Sequence, residues 1–291
     1  MHDNPTRRGR VLVTGASGRV GRHVVDALLG AWEVTVLDLA PPVQDVAFIE
    51  GNVLDLDTVR ASTAGQDAVI HLAAIDIGVP AEPEAYFGTN VMGTWNAVQA
   101  AREAGVRKVV LASSISAVGV GEIRPDFPPE YLPVDEAHAM KPAHAYGASK
   151  LVVEDIARAF ALEGDMSITC LRPVAVIVES NLRRAVERAA DPGHPWLAAW
   201  VTGEDTGRAF AAALDHDAPF DAMFITADDS ASAVPTLERL AGVYGVAAPV
   251  RDPEWFERDP CASPVAATRA KRRLRWRPTS TWAEVAARLE T

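Results

Sequence analysis

Apolar residues along this chain come in short, uninterrupted runs separated by longer amphipathic stretches. Val11-Leu12-Val13, Glu33–Leu37, Val46–Ile49, Ala68–Leu72, Val109–Ala112 and Ser167–Leu171 are rich in β-branched and aliphatic residues and read as six strands. Helical patterns run between them. Arg19 to Leu29 places Val20, Val24, Ala27 and Leu28 on one face, Glu84 to Gly105 lies between the fourth and fifth strands, and Tyr146 to Leu162 precedes the sixth. Strands alternating with helices at this spacing predict an α/β protein with a doubly wound parallel sheet covered on both faces.

The regularity then breaks. Residues 117–143 carry Gly119, Gly121, Pro125, Pro128, Pro129 and Pro133 and read as one long ordered loop, a kind of segment that is usually functional. From about Arg172 the pattern gives helices, one strand at Met223–Thr226 and a terminal helix near Trp282–Leu289. These are expected to form a small cap against the C-terminal edge of the sheet. The division expected is 1–172 for the sheet domain and 173–291 for a small mixed region interleaved with it, since no Gly/Ser linker separates them.

With 291 residues, 48% of them hydrophobic, the chain can build one large domain or a domain plus a cap. A formal charge of −11 repels phosphate polymers, so neither nucleic acid nor an anionic membrane is an expected partner. Met1 to Arg10 is polar and basic with no long apolar run behind it, which predicts neither a signal peptide nor a transmembrane segment and points to the cytoplasm. Cys170 and Cys261 are too few for a disulfide framework and read as reduced thiols. Neither they nor the histidines stand at metal-ligand spacing, so no metal is expected.

Candidate chemistry sits in two short signals. Thr14-Gly15-Ala16-Ser17-Gly18-Arg19-Val20-Gly21 follows the first strand and opens a helix. Gly15 permits the tight turn, Gly18 lets the backbone approach a pyrophosphate, and Gly21 allows close packing of helix on strand. This predicts a Rossmann-type dinucleotide site. Asp38 ends the next strand, where a carboxylate accepts both adenosine ribose hydroxyls and repels a 2′-phosphate, so NAD is expected over NADP; Arg19 and Arg22 soften that preference. In the second signal, Tyr146 and Lys150 lie one helical turn apart, after the pair Ser113-Ser114 at the end of the fifth strand. An ammonium there favours the phenolate, and the Ser114 hydroxyl can hydrogen-bond a reacting oxygen. The three together form a candidate proton relay beside a hydride carrier.

The series Thr14-Gly15-x-x-Gly18-x-x-Gly21, Asp38, His71-Leu72-Ala73-Ala74, Asn90-Val91-x-Gly93-Thr94, Ser113-Ser114, Tyr146-x-x-x-Lys150 and Leu171-Arg172-Pro173 resembles the extended short-chain dehydrogenase/reductase family, the NAD-dependent epimerase/dehydratase group. The tail Ala270-x-x-x-Leu274-x-Trp276-x-Pro278 is similar to that family's C-terminal signature. The resemblance implies an enzyme in which Tyr146 is the general acid/base, Lys150 holds the nicotinamide ribose, and Ser114 orients the substrate oxygen. It implies further that the loop Gly15, Ser17, Gly18, Arg19, Val20, Gly21 meets the pyrophosphate. Leu72, Ala73 and Ala74 would line the adenosine side, and Asn90 and Pro173 would lie near the nicotinamide. Asn52, in Gly51-Asn52-Val53, stands where the family usually has an Asp that grips adenine, so weaker but retained adenine recognition is expected. A homodimer through the helices Asn90–Arg102 and Tyr146–Ala161 is also implied, with Ala97, Ala100, Ala101, Ala157 and Ala161 as the small residues for close pairing.

Departures from the family bear on the substrate. Nucleotide-sugar members commonly carry Arg-Asp-Tyr/Phe-Ile-His-Val-x-Asp where this chain reads Ala198-Ala199-Trp200-Val201-Thr202-Gly203-Glu204-Asp205, and Ala175 replaces a common Asn. Losing a diphosphate clamp removes charge-assisted hydrogen bonds. The expectation is an NAD-dependent oxidoreductase acting on a secondary alcohol or carbonyl of a small sugar or sugar acid, similar to uronate-dehydrogenase-like members. Alternatives are a nucleotide-sugar 4-epimerase or dehydratase with tightly bound NAD, and a non-catalytic NAD(H)-sensing protein. Arg183 and Arg184 either meet an anionic substrate or line a solvated helix face; Trp196 and Trp200 either wall a pocket or form cap core; His144 either reaches substrate or shapes a turn.

Overall fold

The valine-rich runs assemble into one seven-stranded parallel sheet in the order β3 (Ala47–Glu50), β2 (Glu33–Asp38), β1 (Arg10–Thr14), β4 (Ala68–His71), β5 (Lys108–Ala112), β6 (Ser167–Pro173) and β9 (Phe220–Ile225). The computed structural model describes residues 8–120, 127–191, 193–245 and 247–289. Its elements are, in chain order, β1 (Arg10–Thr14), α1 (Gly21–Leu28), β2 (Glu33–Asp38), β3 (Ala47–Glu50), α2 (Leu56–Thr63), β4 (Ala68–His71) and α3 (Pro83–Tyr86). A wide π-type turn (Phe87–Met92) leads into α4 (Gly93–Glu103), β5 (Lys108–Ala112), α5 (Ala145–Leu162) and β6 (Ser167–Pro173). There follow β7 (Ala175–Ile177), α6 (Glu179–Ala190), β8 (Trp200–Thr202), α7 (Gly203–Ala213), β9 (Phe220–Ile225), α8 (Thr236–Tyr244), α9 (Pro253–Arg258), α10 (Thr268–Arg273) and α11 (Trp282–Ala287).

Alternation along each central strand feeds two apolar layers. Val11 and Val13 face α1 and α7, where they meet Val24, Leu28, Ala209 and Phe210. Leu12, Val69, Val109 and Leu111 face the other way, toward Val59, Val98, Ala101, Val153 and Phe160 of α2, α4 and α5. Each fully buried aliphatic or aromatic side chain contributes about 1.5–3 kcal/mol. Among the described residues no helix is long and apolar enough to cross a membrane.

The structure corrects several expectations. The strand expected in the cap at Met223–Thr226 is β9, and it extends the main sheet by pairing with β6. Residues after 172 therefore supply α7 and β9 to the sheet layers. The cap is built on a two-stranded ribbon, β7 with β8, around Trp196, Trp200 and Trp282. Helix α2 went unread because two of its three buried positions are Ser62 and Thr63, beside Val59. The small residues expected at a dimer surface (Ala97, Ala100, Ala101, Ala157 and Ala161) are buried inside the single chain. Of the expected loop, 127–143 carries isolated bridges from Leu132 to Val250 and from Val134 to Val265, while 121–126 lies outside the described residues, as do residues 1–7.

Candidate active site

After β1 the chain winds toward β2 and β3, whereas β4 begins the other half of the sheet, so a crevice opens between the C-terminal ends of β1 and β4. Gly15 lies at φ 74°, and a Cβ on it would stand 2.4 Å from the Ala73 nitrogen, so only glycine lets the β1 loop press against the end of β4. A Cβ on Gly18 would meet little except the Gly15 carbonyl at 3.3 Å, so its backbone lies open. Ser17, Gly18 and Arg19 are exposed, Val20 is half-buried, and Gly21 begins α1. Asp38 stands at the tip of β2, where its Oδ2 accepts the Ser17 N–H (2.9 Å) and its Oδ1 the Leu39 N–H (2.7 Å). An open glycine at a helix N-terminus, with a carboxylate at the neighbouring strand tip, fits a diphosphate flanked by a ribose diol.

Other expected cofactor positions divide. Leu72, Ala73 and Ala74 continue β4 half-buried at the crevice, and Pro173 closes β6. Val53 is core, packed so tightly that a Cβ on Gly93 would stand 2.8 Å from it. Asn52 is exposed and its Oδ1 accepts the Leu54 N–H (3.0 Å), a turn role. Asn90 is fully buried. Its Oδ1 accepts the Ile75 N–H (2.7 Å), and its Nδ2 donates to the Ile75 carbonyl and Ser149 Oγ (both 3.1 Å). It therefore acts on the crevice through the loop it holds.

The three residues expected to form the proton relay come from the end of β5 and the first turns of α5. Ser114 caps a short turn, its Oγ accepting the Ser116 N–H at 3.1 Å. A Cβ on Gly147 would stand 2.5 Å from the Ser116 carbonyl, so glycine lets α5 seat directly on that turn. Lys150 is buried, donates to the Ala112 carbonyl at 2.8 Å, and holds its Nζ 5.7 Å from the centre of the Tyr146 ring. Burial pushes the Lys150 ammonium down to about 8, against the pull of the Asp76 carboxylate. Tyr86 meets the Tyr146 ring edge-on at 5.8 Å.

Further side chains shape the site, among them His144, expected either to reach substrate or to shape a turn, and Glu154, which the sequence reading lacks. His144 lies 6.1 Å from the Tyr146 ring in parallel and caps α5, its Nδ1 accepting the Gly147 N–H. Glu154 is fully buried one turn beyond Lys150, gripped by Ser113 Oγ (2.6 Å) and by Arg172 through Nε and NH2 (2.7 Å each). That buried pair pins α5 to β6; a charged residue on an apolar helix stripe was the available signal. Beneath the crevice, burial drives His71 down to about 3, so its ring is neutral beside Thr14 Oγ1 (2.7 Å). Trp196 and Trp200 are cap core, and Arg183 and Arg184 are exposed on α6.

A family model described as the NAD dependent epimerase/dehydratase family matches residues 11–225. The chain is 27% identical over 248 residues to an NAD-dependent glucose-6-phosphate dehydrogenase of Haloferax volcanii, covering 81% of this chain and 91% of that protein. It is 35% identical over 158 residues to a UDP-glucose 4-epimerase of Streptomyces lividans, but this spans only 50% of the chain and 46% of the epimerase. A solved short-chain dehydrogenase/reductase superfamily protein from Agrobacterium tumefaciens with bound NAD superposes with TM-score 0.74 at 25% identity, covering 96% of this chain and 95% of that one.

Proposed function

The chain belongs to the NAD-dependent epimerase/dehydratase family of extended short-chain dehydrogenases/reductases, and from that premise we propose that it oxidises or reduces a secondary alcohol or carbonyl of a small sugar or sugar acid. The observation that carries this reading is the character of the cap. Where nucleotide-sugar members present a diphosphate-binding Arg, this chain has Ala198 to Val201, buried, with Trp200 wedged against Trp282 at 5.3 Å. Arg183 and Arg184 lie on the exposed face of α6. The Haloferax glucose-6-phosphate dehydrogenase, matched over most of both chains, supports an NAD-dependent dehydrogenase more than does an epimerase matched over half its length.

NAD would be held by the Gly15–Gly21 loop, Asp38 and Lys150, and would supply the hydride acceptor. The chain's own part is proton handling. Ser114 Oγ hydrogen-bonds the substrate oxygen while the Tyr146 phenolate takes up its proton, becoming the phenol as the alcohol becomes a carbonyl. The Lys150 ammonium, one turn along, steadies the negative charge on the phenolate before that transfer. The reverse direction returns the proton from the same phenol. Arg172 and Glu154 keep the helix carrying both groups fixed against β6.

Purified protein given NAD and a panel of free sugars and sugar acids should accumulate NADH steadily. Turnover of a nucleotide sugar without net NADH, by protein that retains NAD through purification, would assign it to the 4-epimerases instead. A homodimer formed through α4 and α5 belongs to the same proposal, now resting on the exposed Met92 and Trp95 rather than on the alanines. Light scattering should then give twice the 31.1 kDa chain mass, and a lone chain would refute it.

A further inference from the structure

An ion pair bridges the crevice at the place where a diphosphate fits. Arg19, on the β1 side in the glycine loop, pairs with Asp76, on the β4 side. Both side chains keep solvent contact. Asp76 is held in position. Its Oδ1 accepts the Ile77 N–H (2.8 Å), and its carbonyl accepts the Val79 N–H (2.9 Å). On one side of it Asn90 clamps Ile75, and on the other the Tyr86 hydroxyl donates to the Val79 carbonyl at 3.2 Å. The same carboxylate acts on the buried Lys150 ammonium, opposing the effect of burial. A fixed carboxylate thus stands against Arg19 at the place where an incoming diphosphate brings two more negative charges.

We propose that Asp76 is an internal anion that competes with the dinucleotide diphosphate for Arg19, and so sets how fast the cofactor leaves. A phosphate that takes a charge-assisted hydrogen bond from Arg19 competes with Asp76 for the same guanidinium charge, so binding weakens one ion pair as it forms another. On departure Asp76 recaptures the guanidinium. The arrangement suits an enzyme that must release reduced cofactor in every turnover. The inference rests on the NAD-dependent reading of the crevice, and not on which sugar is oxidised.

Stopped-flow NADH fluorescence tests it, giving the dissociation constant and release rate for wild type, Asp76→Asn, Asp76→Ser, Arg19→Gln and the Asp76→Asn/Arg19→Gln double variant. An exposed pair is worth at most about 1 kcal/mol, so either Asp76 variant should bind NADH about fivefold tighter, chiefly through slower release. Arg19→Gln should bind more weakly, and in that background Asp76→Asn should change affinity by less than about twofold. Unchanged or faster release from both Asp76 variants overturns the proposal. So does a full-sized tightening without Arg19, which would reduce Asp76 to plain charge repulsion. Because the readout is cofactor binding, wild-type protein that binds NADH but oxidises no sugar refutes the substrate reading and leaves this result standing.

Discussion

Strand β5 has a lysine at each end, Lys108 half-buried and Lys150 buried, and the two are used differently. Lys108 begins the strand; Lys150, from α5, reaches the carbonyl of its last residue, Ala112, at 2.8 Å. Burial pushes both ammonium groups down to about 8. Lys108 has its three donors matched by Ser167 Oγ (3.1 Å), Thr169 Oγ1 (2.8 Å) and the His216 carbonyl. Lys150 has one acceptor among the described residues, which leaves N–H groups for a ligand. A cavity of about 680 Å³ opens beside the start of the edge strand β9, lined in part by Asp221, Arg269 and Trp255. Its carboxylates are already engaged: Asp221 by His216 and Arg269 (3.2 Å each), Glu136 by the Phe224 N–H (3.1 Å), Asp252 by the Trp255 N–H (3.3 Å). What separates the two lysines is unsatisfied hydrogen-bonding capacity, with three acceptors on Lys108 and one on Lys150 among the described residues.

Replacing each lysine by methionine is the sharpest way to break this comparison. Lys150→Met should lower turnover by on the order of 10²–10³-fold, since it removes the charge that supports the proton-transferring phenol. Lys108→Met should leave turnover per folded molecule within about twofold, and an equal loss from both variants would erase the distinction drawn here. Stability gives a smaller and shared effect. Between about pH 8 and the ordinary lysine value of 10.5, the unfolded chain still holds protons that the folded chain has released. The free energy of unfolding therefore rises with pH through this window, by up to about 1.4 kcal/mol per pH unit for each lysine. Urea unfolding between pH 8 and 10 should show a flatter rise for either variant than for wild type; full slopes in both would show that neither ammonium is held down by burial.

Legibility in the sequence follows the range of the interaction. Val11–Val13 and Val109–Leu111 were readable because strands buried on both faces are continuous apolar runs. The glycine loop and the Tyr146/Lys150 pair were readable because their chemistry depends on spacing within one turn of chain. Each three-residue strand of the β7–β8 ribbon is too short to show a period, and the place of β9 beside β6 is a non-local pairing. Asp76 and Arg19 lie 57 residues apart, and nothing in either segment announces the other. His144 was weighed as a turn residue, and its cap on α5 shows why a turn there matters. Glu154 carried a local sign, since it follows Lys150 on the same buried face of α5, but its partner Arg172 is on β6.

The central claim is that the ligand-facing end of β5 moves a proton through Tyr146. Tyr146→Phe keeps the ring against Tyr86 and removes only the hydroxyl, so NADH affinity and sugar turnover measured on the same sample test it most directly. The account predicts NADH affinity within about threefold of wild type, with turnover reduced by on the order of 10³-fold. Turnover close to wild type with NADH still bound would contradict it.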